Sequence, residues 1–314
     1  MTGWTAGEKN MVADAAVRAP SVHNTLPWVL ELPDGGGRVA ELYERFDRLL
    51  PRHDPLGRDR LISCGAALQH VRIAVRVLGF EPEVALFPDP ARRDLVARVH
   101  AARRGTASDE DTREYAAIRA RRSHRRPFGP APVAARTVRW LVAANHTDGT
   151  SVRPVRNEAE AVTLARLLVH AAQVLRDDRG YQRELAAWTA PVRDPLPGTG
   201  VSAALRRTAT LPWAGLVRRT TAVPDVETLT ARLSRECLLL VETPDDGPRD
   251  HVLAGAAIET VWLAAVGAGL AGAVLTQPFQ LAEVRAGLVE ALSLNGFPQA
   301  LLRLGWRGDH HEEA

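Results

Sequence analysis

The stretch GAAIETVWLAAVGAGLAGAVLTQ, residues 255–277, begins with a run that is apolar on nearly every side. An amphipathic surface helix would have a polar face, so residues 261–268 predict a helix that is buried all round. Gly267 and Gly269 predict the end of that helix, because glycine readily adopts the left-handed conformation that closes a helix. Residues 273–276 then predict a short buried strand, so the stretch indicates a core helix that leads directly into a core strand.

The same pattern occurs a second time, at an offset of 190 residues. Residues 65–80, GAALQHVRIAVRVLGF, align with residues 255–270, and both copies lead into a short apolar strand. Identical residues recur at six positions of the first copy, which are Gly65, Ala66, Ala67, Val71, Ala74 and Gly79. One interpretation is chance, because alanine-rich buried helices share few sequence patterns. The other is a chain of two related halves, whose central helices pack about a pseudo-twofold axis.

Composition and charge exclude several classes of function. The chain has 314 residues, of which 46% are hydrophobic and 25% charged, as is typical of a globular protein with a substantial core. The net charge is only +3, and short arginine clusters alternate with acids, which argues against a nucleic-acid surface. No uncharged window is long enough to span a bilayer, and no signal peptide is evident. With Cys64 and Cys237 in apolar surroundings, we expect a cytoplasmic protein without a membrane partner.

Helical and strand periodicities along the chain predict an α+β fold with a mixed, mainly antiparallel sheet and two packed central helices. We expect one unit of two half-repeats, residues 1–106 and residues 107–314. In the second half, residues 158–185 have the pattern of one long helix. Residues 187–224 contain five prolines and two tryptophans. Because a loop of that length in a compact domain is often functional, we expect it to act as a lid.

Two stretches have the residue types of a binding site. Residues 121–128, RRSHRRPF, place four arginines and a serine at a predicted helix–loop junction. Guanidinium groups bind phosphate through paired, charge-assisted hydrogen bonds, so this run is a candidate anion site, with a solvated basic run as the alternative. Residues 20–28 form a loop bounded by two prolines, in which Ser21 and Asn24 can hydrogen-bond a polar ligand.

These motifs together resemble those of one family, the nitroreductase-like flavoproteins. RRSHRRPF is similar to the Arg-Arg-Ser-x-Arg-x-Phe motif of that family, and APSVHNTLPW (residues 19–28) to its Pro-Ser-x-x-Asn-x-Gln-Pro-Trp segment. GAGLAGAVLTQ (residues 267–277) resembles the helix–glycine–strand element that passes the flavin edge. The loop stands in the first half and the arginine run in the second, an order that resembles the Acg-type branch, in which one chain mimics the dimer. Leu26 replaces the glutamine that is usual in the family.

The resemblance implies a nitroreductase-like fold and FMN as the cofactor. It implies that the arginine run holds the phosphate and the polar edge of the flavin, and that the serine–asparagine loop reaches the flavin from the other half. Residues 275–277 would line the ring through their backbone, and Arg303 would be a further phosphate ligand. The residues that the resemblance assigns to FMN are Pro20, Ser21, Asn24, Arg121, Arg122, Ser123, Arg125, Leu275, Thr276, Gln277 and Arg303. It implies neither a metal nor a catalytic acid or base, since the flavin itself performs the redox chemistry.

Three functions are open at this point. The first is a reductase that passes electrons from NAD(P)H through FMN to a nitroaromatic or quinone-like acceptor. The second is a storage protein that sequesters FMN under the lid and reacts little with NAD(P)H. The third is an interaction protein whose flavin site has decayed. Because the loop and the arginine run each occur once, we expect one FMN per chain and a monomer.

Overall fold

The computed structural model describes residues 3–35, 37–189 and 217–308. The first half contains α1 (Ala6–Val17), β1 (Trp28–Glu31), β2 (Val39–Glu44), α2 (Arg58–Val77), β3 (Phe80–Leu86) and β4 (Leu95–Arg104). The second half contains α3 (Asp109–Ala120), α4 (Ala135–Ala143), β5 (Ser151–Pro154), α5 (Glu158–Asp177), α6 (Arg179–Thr189), α7 (Val226–Leu233), β6 (Cys237–Thr243), α8 (Pro248–Gly267), β7 (Ala271–Leu275), α9 (Ala282–Leu292) and β8 (Phe297–Gly305). None of the described helices is long and apolar enough to cross a bilayer.

Each half forms a four-stranded sheet, with the strand order β1-β2-β4-β3 in the first and β5-β6-β8-β7 in the second. All pairings between these strands are antiparallel. Ser123 adds a single parallel bridge to Gly272. In both halves the long central helix follows the second strand and precedes the third. The expected α+β fold with a mixed, mainly antiparallel sheet is confirmed, and the two halves have one topology.

The central helices α2 and α8 cross at the glycine that the two sequence copies share. A Cβ atom on Gly65 would overlap the carbonyl oxygen of Val252, and a Cβ atom on Gly255 would overlap that of Ile62. The two contacts are reciprocal, because Ile62 and Val252 stand at equivalent positions of the two copies. This is the contact pattern of a twofold axis, so the expected packing of the two central helices is confirmed.

The second sheet is covered on both faces, which explains the unbroken apolar sequence of β6. Leu239 and Val241 pack against α8, together with Leu141 of α4. Leu238 and Leu240 point to the opposite face and pack among residues of α5, α7 and α9. The sheet therefore holds α8 in a fixed position beside α2.

The prediction of one helix over residues 158–185 is wrong. The chain leaves the helical conformation at Asp178, whose ψ angle is 107°, so α5 and α6 are separate helices. The carboxylate of Asp178 accepts the N–H groups of Gly180 at 2.7 Å and Tyr181 at 3.0 Å. Asp178 thus caps the first turn of α6, a role for which a short acidic side chain is well suited.

The expected lid, residues 187–224, lies largely outside the described residues, which resume at Val217. Its C-terminal end is attached to Gln182 of α6, whose Nε2 donates to the carbonyl oxygen of Val217 at 2.9 Å. Oε1 of the same side chain accepts the N–H of Arg219 at 3.0 Å. Glu184, also on α6, accepts the N–H of His53 at 2.7 Å. The base of the insert is therefore attached next to His53, a residue of the pocket described below.

Candidate functional site

A pocket opens between the two halves, where the first turns of α2 face the middle of α8. Its empty space, counted out to the open mouth and including open solvent there, measures about 760 Å³. The first half contributes residues 20–23, His53 and α2 to the wall. The second half contributes Ser123, Arg125, α8 and residues around the end of β7. The pocket therefore depends on both halves.

The loop at residues 20–26 enters the pocket wall in a conformation that most residues avoid. His23, Asn24 and Leu26 have positive φ angles of 47°, 55° and 48°. The hydroxyl of Ser21 holds the loop by accepting the N–H of Leu26 at 3.1 Å. Left-handed backbone at residues other than glycine is uncommon and clusters at functional sites, where the surrounding structure maintains the strain.

Arg125 brings a positively charged group to the pocket wall. In the described part of the chain, no acid and no hydrogen-bond acceptor contacts its guanidinium group. Burial lowers the pKa of this group, and the charge of nearby Arg121 lowers it further. An anionic ligand would stabilise the buried positive charge of Arg125 and offset its repulsion by Arg121, since guanidinium groups bind phosphate and carboxylate through paired hydrogen bonds.

Two further donors of the pocket wall have no hydrogen-bond partner within the described ranges. They are Nε1 of Trp262, in α8, and Nε2 of Gln277, just after β7, and both residues are buried. A buried donor without a partner is unfavourable by about 1–3 kcal/mol, so such groups commonly meet a ligand, an ion or water. Together with Arg125, these donors favour a ligand that is rich in hydrogen-bond acceptors.

Main-chain pairing brings the arginine run to the end of β7. Ser123 forms its parallel bridge with Gly272, and His124 donates its N–H to the carbonyl oxygen of Gly272 at 2.7 Å. A few residues later, the hydroxyl of Thr276 donates to Oδ2 of Asp59 at 2.5 Å. This bond joins the second half to α2, so the pocket wall is continuous across the two halves.

Six of the residues expected from the sequence line the pocket, namely Pro20, Ser21, Ser123, Arg125, Thr276 and Gln277. Asn24 and Leu275 are next to the pocket and do not line it. Leu275 is fully buried in the core of the second half, because β7 places its side chain on the inner face of the sheet.

Arg121 does not line the pocket and lies behind its wall. Its Nε is 3.3 Å from Oε1 of Glu259, a fully buried carboxylate that also lies 2.7 Å from Nε2 of His70. Its Nη2 donates to the carbonyl oxygen of Arg18 at 3.0 Å. Its guanidinium carbon is 4.7 Å from the ring centre of Trp262. Arg121 therefore supports the Trp262 wall from outside the pocket.

Arg122 and Arg303 also lie outside the pocket lining. Arg122 is exposed, and its Nη1 donates to the carbonyl oxygens of Arg119 at 2.8 Å and Arg121 at 2.7 Å. Arg303 is 0% exposed on β8, and its Nε and Nη2 each lie 2.6 Å from a carboxylate oxygen of Glu236. This bidentate pair neutralises the charge of Arg303 within the sheet.

Four polar residues of the pocket wall were not expected from the sequence, namely His23, His53, Asp59 and Ser63. Nε2 of His23 is 3.2 Å from Nδ1 of His53, and Nε2 of His53 is 3.3 Å from Oδ2 of Asp59. The only sequence feature that could have indicated His53 and Asp59 is the polar loop before the first central helix. The contact between two loops that are distant in sequence is a consequence of the tertiary fold.

We expect His23 to make the protein less stable below about pH 6.5. Burial, followed by the neighbouring His53 and Arg125, holds the pKa of His23 well below its ordinary value of 6.5. Below that pH the unfolded chain binds a proton that the folded protein does not. As the pH is lowered below about 6.5, the free energy of unfolding therefore decreases by up to about 1.4 kcal/mol per pH unit. Denaturant unfolding across this range should show a shallower fall for His23→Gln, and parallel curves for the two proteins would contradict the expectation.

Similarity to curated proteins covers nearly the whole chain. "Putative NAD(P)H nitroreductase Rv3131" of Mycobacterium tuberculosis is 32% identical over 310 residues, which cover 94% of this chain and 84% of the relative. At this identity and coverage, the chain belongs to the nitroreductase family. "Putative NAD(P)H nitroreductase acg" of the same organism is 29% identical over 299 residues, or 92% of this chain and 86% of the relative. The chain is of the Acg type within that family. No protein-family model matches the chain.

Solved structures are more distant. The FMN-dependent nitroreductase NfnB from Mycobacterium smegmatis, in complex with NADPH, has a TM-score of 0.41 and 18% sequence identity. The match covers 64% of this chain and 90% of NfnB. A likeness at this level adds nothing to the family assignment, which depends on the curated relatives.

Proposed function

We propose that this chain binds one FMN in the pocket between its halves. We further propose that it acts as an oxidoreductase, passing electrons from NAD(P)H to a small nitroaromatic or quinone-like acceptor. The observation that carries the proposal is that one pocket brings together the guanidinium of Arg125 and the buried donors of Trp262 and Gln277, none of which has a partner among the described residues. FMN combines an anionic phosphate with a ring that bears carbonyl oxygens, so its chemistry fits this set of donors. The names of the curated relatives support the choice of NAD(P)H as electron donor.

Different residues of the pocket wall would bind different parts of FMN. Arg125 and the hydroxyl of Ser123, which line the same pocket, would hold the phosphate through charge-assisted hydrogen bonds. Trp262 and Gln277 would donate to acceptors of the flavin, while Ser21 would keep the loop at residues 20–26 in place. When bound, FMN would supply the hydride and electron transfer, and the chain would orient it and exclude water.

We infer that the chain arose by internal duplication and retains one complete site. The shared sheet topology and the reciprocal glycine contacts support this inference. At the position equivalent to Trp262, α2 has Arg72, so the second half-site has a different wall. A chain that supplies both halves of the site would be active as a monomer. Cys64 and Cys237 are buried free thiols, which fits the reducing cytoplasm that we propose as its location.

Anaerobic reduction tests the proposed reductase. We expect NADPH or NADH to bleach the visible absorbance of the FMN-loaded protein, and a nitroaromatic or quinone to restore it, because the family chemistry needs both half-reactions. FMN-loaded protein that dithionite reduces and neither nicotinamide reduces would contradict the reductase. That result would favour the storage role, in which the flavin is held away from external reductants. A purified protein that takes up no flavin would contradict both.

A further inference from the structure

A chain of three side chains connects the pocket wall to the first central helix. His23 contacts His53 at 3.2 Å, and His53 contacts Asp59 at 3.3 Å. The three residues are at most 6% exposed, and all three line the pocket. The other ring nitrogen of His23, Nδ1, has no hydrogen-bond partner in the part of the chain that the structure describes.

The charge of Asp59 decides the direction of each hydrogen bond in this chain. Burial acts to raise the pKa of Asp59, but the hydrogen bond from His53 and the charge of Arg58 hold it below its ordinary value. The ionised carboxylate can only accept, so His53 carries its proton on Nε2. In a neutral His53, Nδ1 is then an acceptor, and His23 donates to it from Nε2. In a neutral His23 this leaves Nδ1 as an unprotonated acceptor.

We propose that Asp59, acting through His53, fixes His23 as the hydrogen-bond acceptor of the pocket and thereby selects a ligand with an N–H or O–H group at that place. His23 is the specificity-determining residue, and His53 and Asp59 are positioning residues. The selection rests on the proposed function, because it concerns how the same pocket distinguishes flavins. The FMN ring has a single N–H group, at N3, and its other polar ring atoms are acceptors.

The unpartnered donors of the wall make the acceptor at His23 a distinguishing feature. Arg125, Trp262 and Nε2 of Gln277 can only donate. A ligand with acceptors alone would satisfy those three groups and leave Nδ1 of His23 unpaired. A ligand with acceptors and one ring N–H satisfies all four. The arrangement therefore favours a flavin whose N3 carries a proton over one whose N3 is blocked.

Packing outside the pocket fixes the ring of His53. Glu184 accepts the main-chain N–H of His53, and the ring of Tyr181 stacks on the His53 ring at 5.8 Å with an interplanar angle of 26°. Both residues are on α6. The ring of His53 is thus held between Tyr181 on one side and its hydrogen-bond partners, His23 and Asp59, on the other.

Asp59→Asn is expected to reverse the direction of the hydrogen bonds that link residue 59, His53 and His23. The reason is that Arg58 faces the second oxygen of Asp59. Nη1 of Arg58, which can only donate, lies 3.2 Å from Oδ1. The oxygen of the new amide should stay next to Arg58, and its NH2 group should face His53. His53 must then accept at Nε2 and carry its proton on Nδ1. His23 in turn accepts at Nε2 and presents Nδ1–H to the pocket.

The tautomers can be measured by 15N NMR of histidine-labelled full chain without flavin, with His23→Gln and His53→Gln to assign the signals. We expect Nε2–H on both histidines in the unaltered protein and Nδ1–H on both in Asp59→Asn. Thr276→Val, the matched control, removes the hydroxyl that contacts Asp59 and keeps the carboxylate, so it should leave both tautomers unchanged. Nδ1–H on His23 in the unaltered protein would overturn the proposal, even if the variants fail to fold.

Binding of FMN and N3-methyl-FMN tests the selection itself. We expect the unaltered protein to bind FMN about tenfold more tightly than N3-methyl-FMN, a ratio that corresponds to the loss of one buried hydrogen bond. Asp59→Asn should lose this preference. Equal binding of the two flavins by the unaltered protein would overturn the selection by His23. Absence of FMN binding would instead overturn the proposed function, and the NMR result would still decide whether Asp59 fixes the tautomer.

Discussion

Gly65→Ala and Gly255→Ala are each expected to lower the free energy of unfolding by about 3 kcal/mol, the upper end of the usual range for overpacked cores. The new methyl group would overlap a main-chain carbonyl oxygen of the opposite helix, that of Val252 or of Ile62. A flexible side chain could rotate away, whereas a carbonyl inside a helix can move only with the helix. The helices α2 and α8 would have to separate along their buried interface.

Gly267→Ala, at the end of α8, is the matched control. No atom lies within 4 Å of a Cβ built on Gly267, so the substitution should be neutral or stabilise the helix by about 0.5–1 kcal/mol. Urea unfolding followed by circular dichroism would measure the three variants. Full stability in Gly65→Ala and Gly255→Ala would show that the central helices do not make the close contact described above.

Arg125→Ala should weaken FMN binding by about 1.5–3 kcal/mol, the range for hydrogen bonds to charged groups. This corresponds to roughly 10-fold to 150-fold in the dissociation constant. Arg125 is the one arginine of the run that lines the pocket, and no residue in the described segments neutralises its charge. Removing it would leave the phosphate without its cationic partner. Arg125→Lys should recover part of the affinity, because the charge remains and the paired hydrogen bonds are lost.

Arg122→Ala is the control for this experiment. Arg122 has the same charge three residues away, but it is exposed, and its Nη1 donates to the carbonyl oxygens of Arg119 and Arg121. Flavin fluorescence titration should give the same dissociation constant for Arg122→Ala and the unaltered protein. A larger loss in Arg122→Ala than in Arg125→Ala would place the phosphate at the exposed end of the run and contradict the proposed site.

The fold could be predicted from the sequence because its central contact leaves a local signal twice. The repeated glycine, within two similar apolar helices, predicted the packing of α2 against α8, and Gly65 and Gly255 are the residues at the crossing. The break between α5 and α6 gave no apolar signal, since Asp178 interrupts a pattern that continues on both sides. Local capping by the Asp178 carboxylate, and not periodicity, ends the helix there.

The site could be predicted only in part, because motifs identify segments and the fold decides which side chains reach the pocket. Arg121 and Arg125 belong to one run, yet Arg121 packs on Trp262 and contacts Glu259, whereas Arg125 lines the pocket. Neither burial nor an acidic neighbour from a distant helix can be read from the run itself. The contact between His53 and Asp59 was likewise hidden, because polar loops before helices are common and seldom form sites.

The central claim is that two halves of similar fold build a single flavin site. The most direct measurement is a titration of the purified full chain with FMN, followed by the visible absorbance and fluorescence of the flavin. We expect saturation at one FMN per chain, because the loop at residues 20–26 and the run at residues 121–128 each occur once. Saturation at two FMN per chain, or no binding at all, would contradict this account.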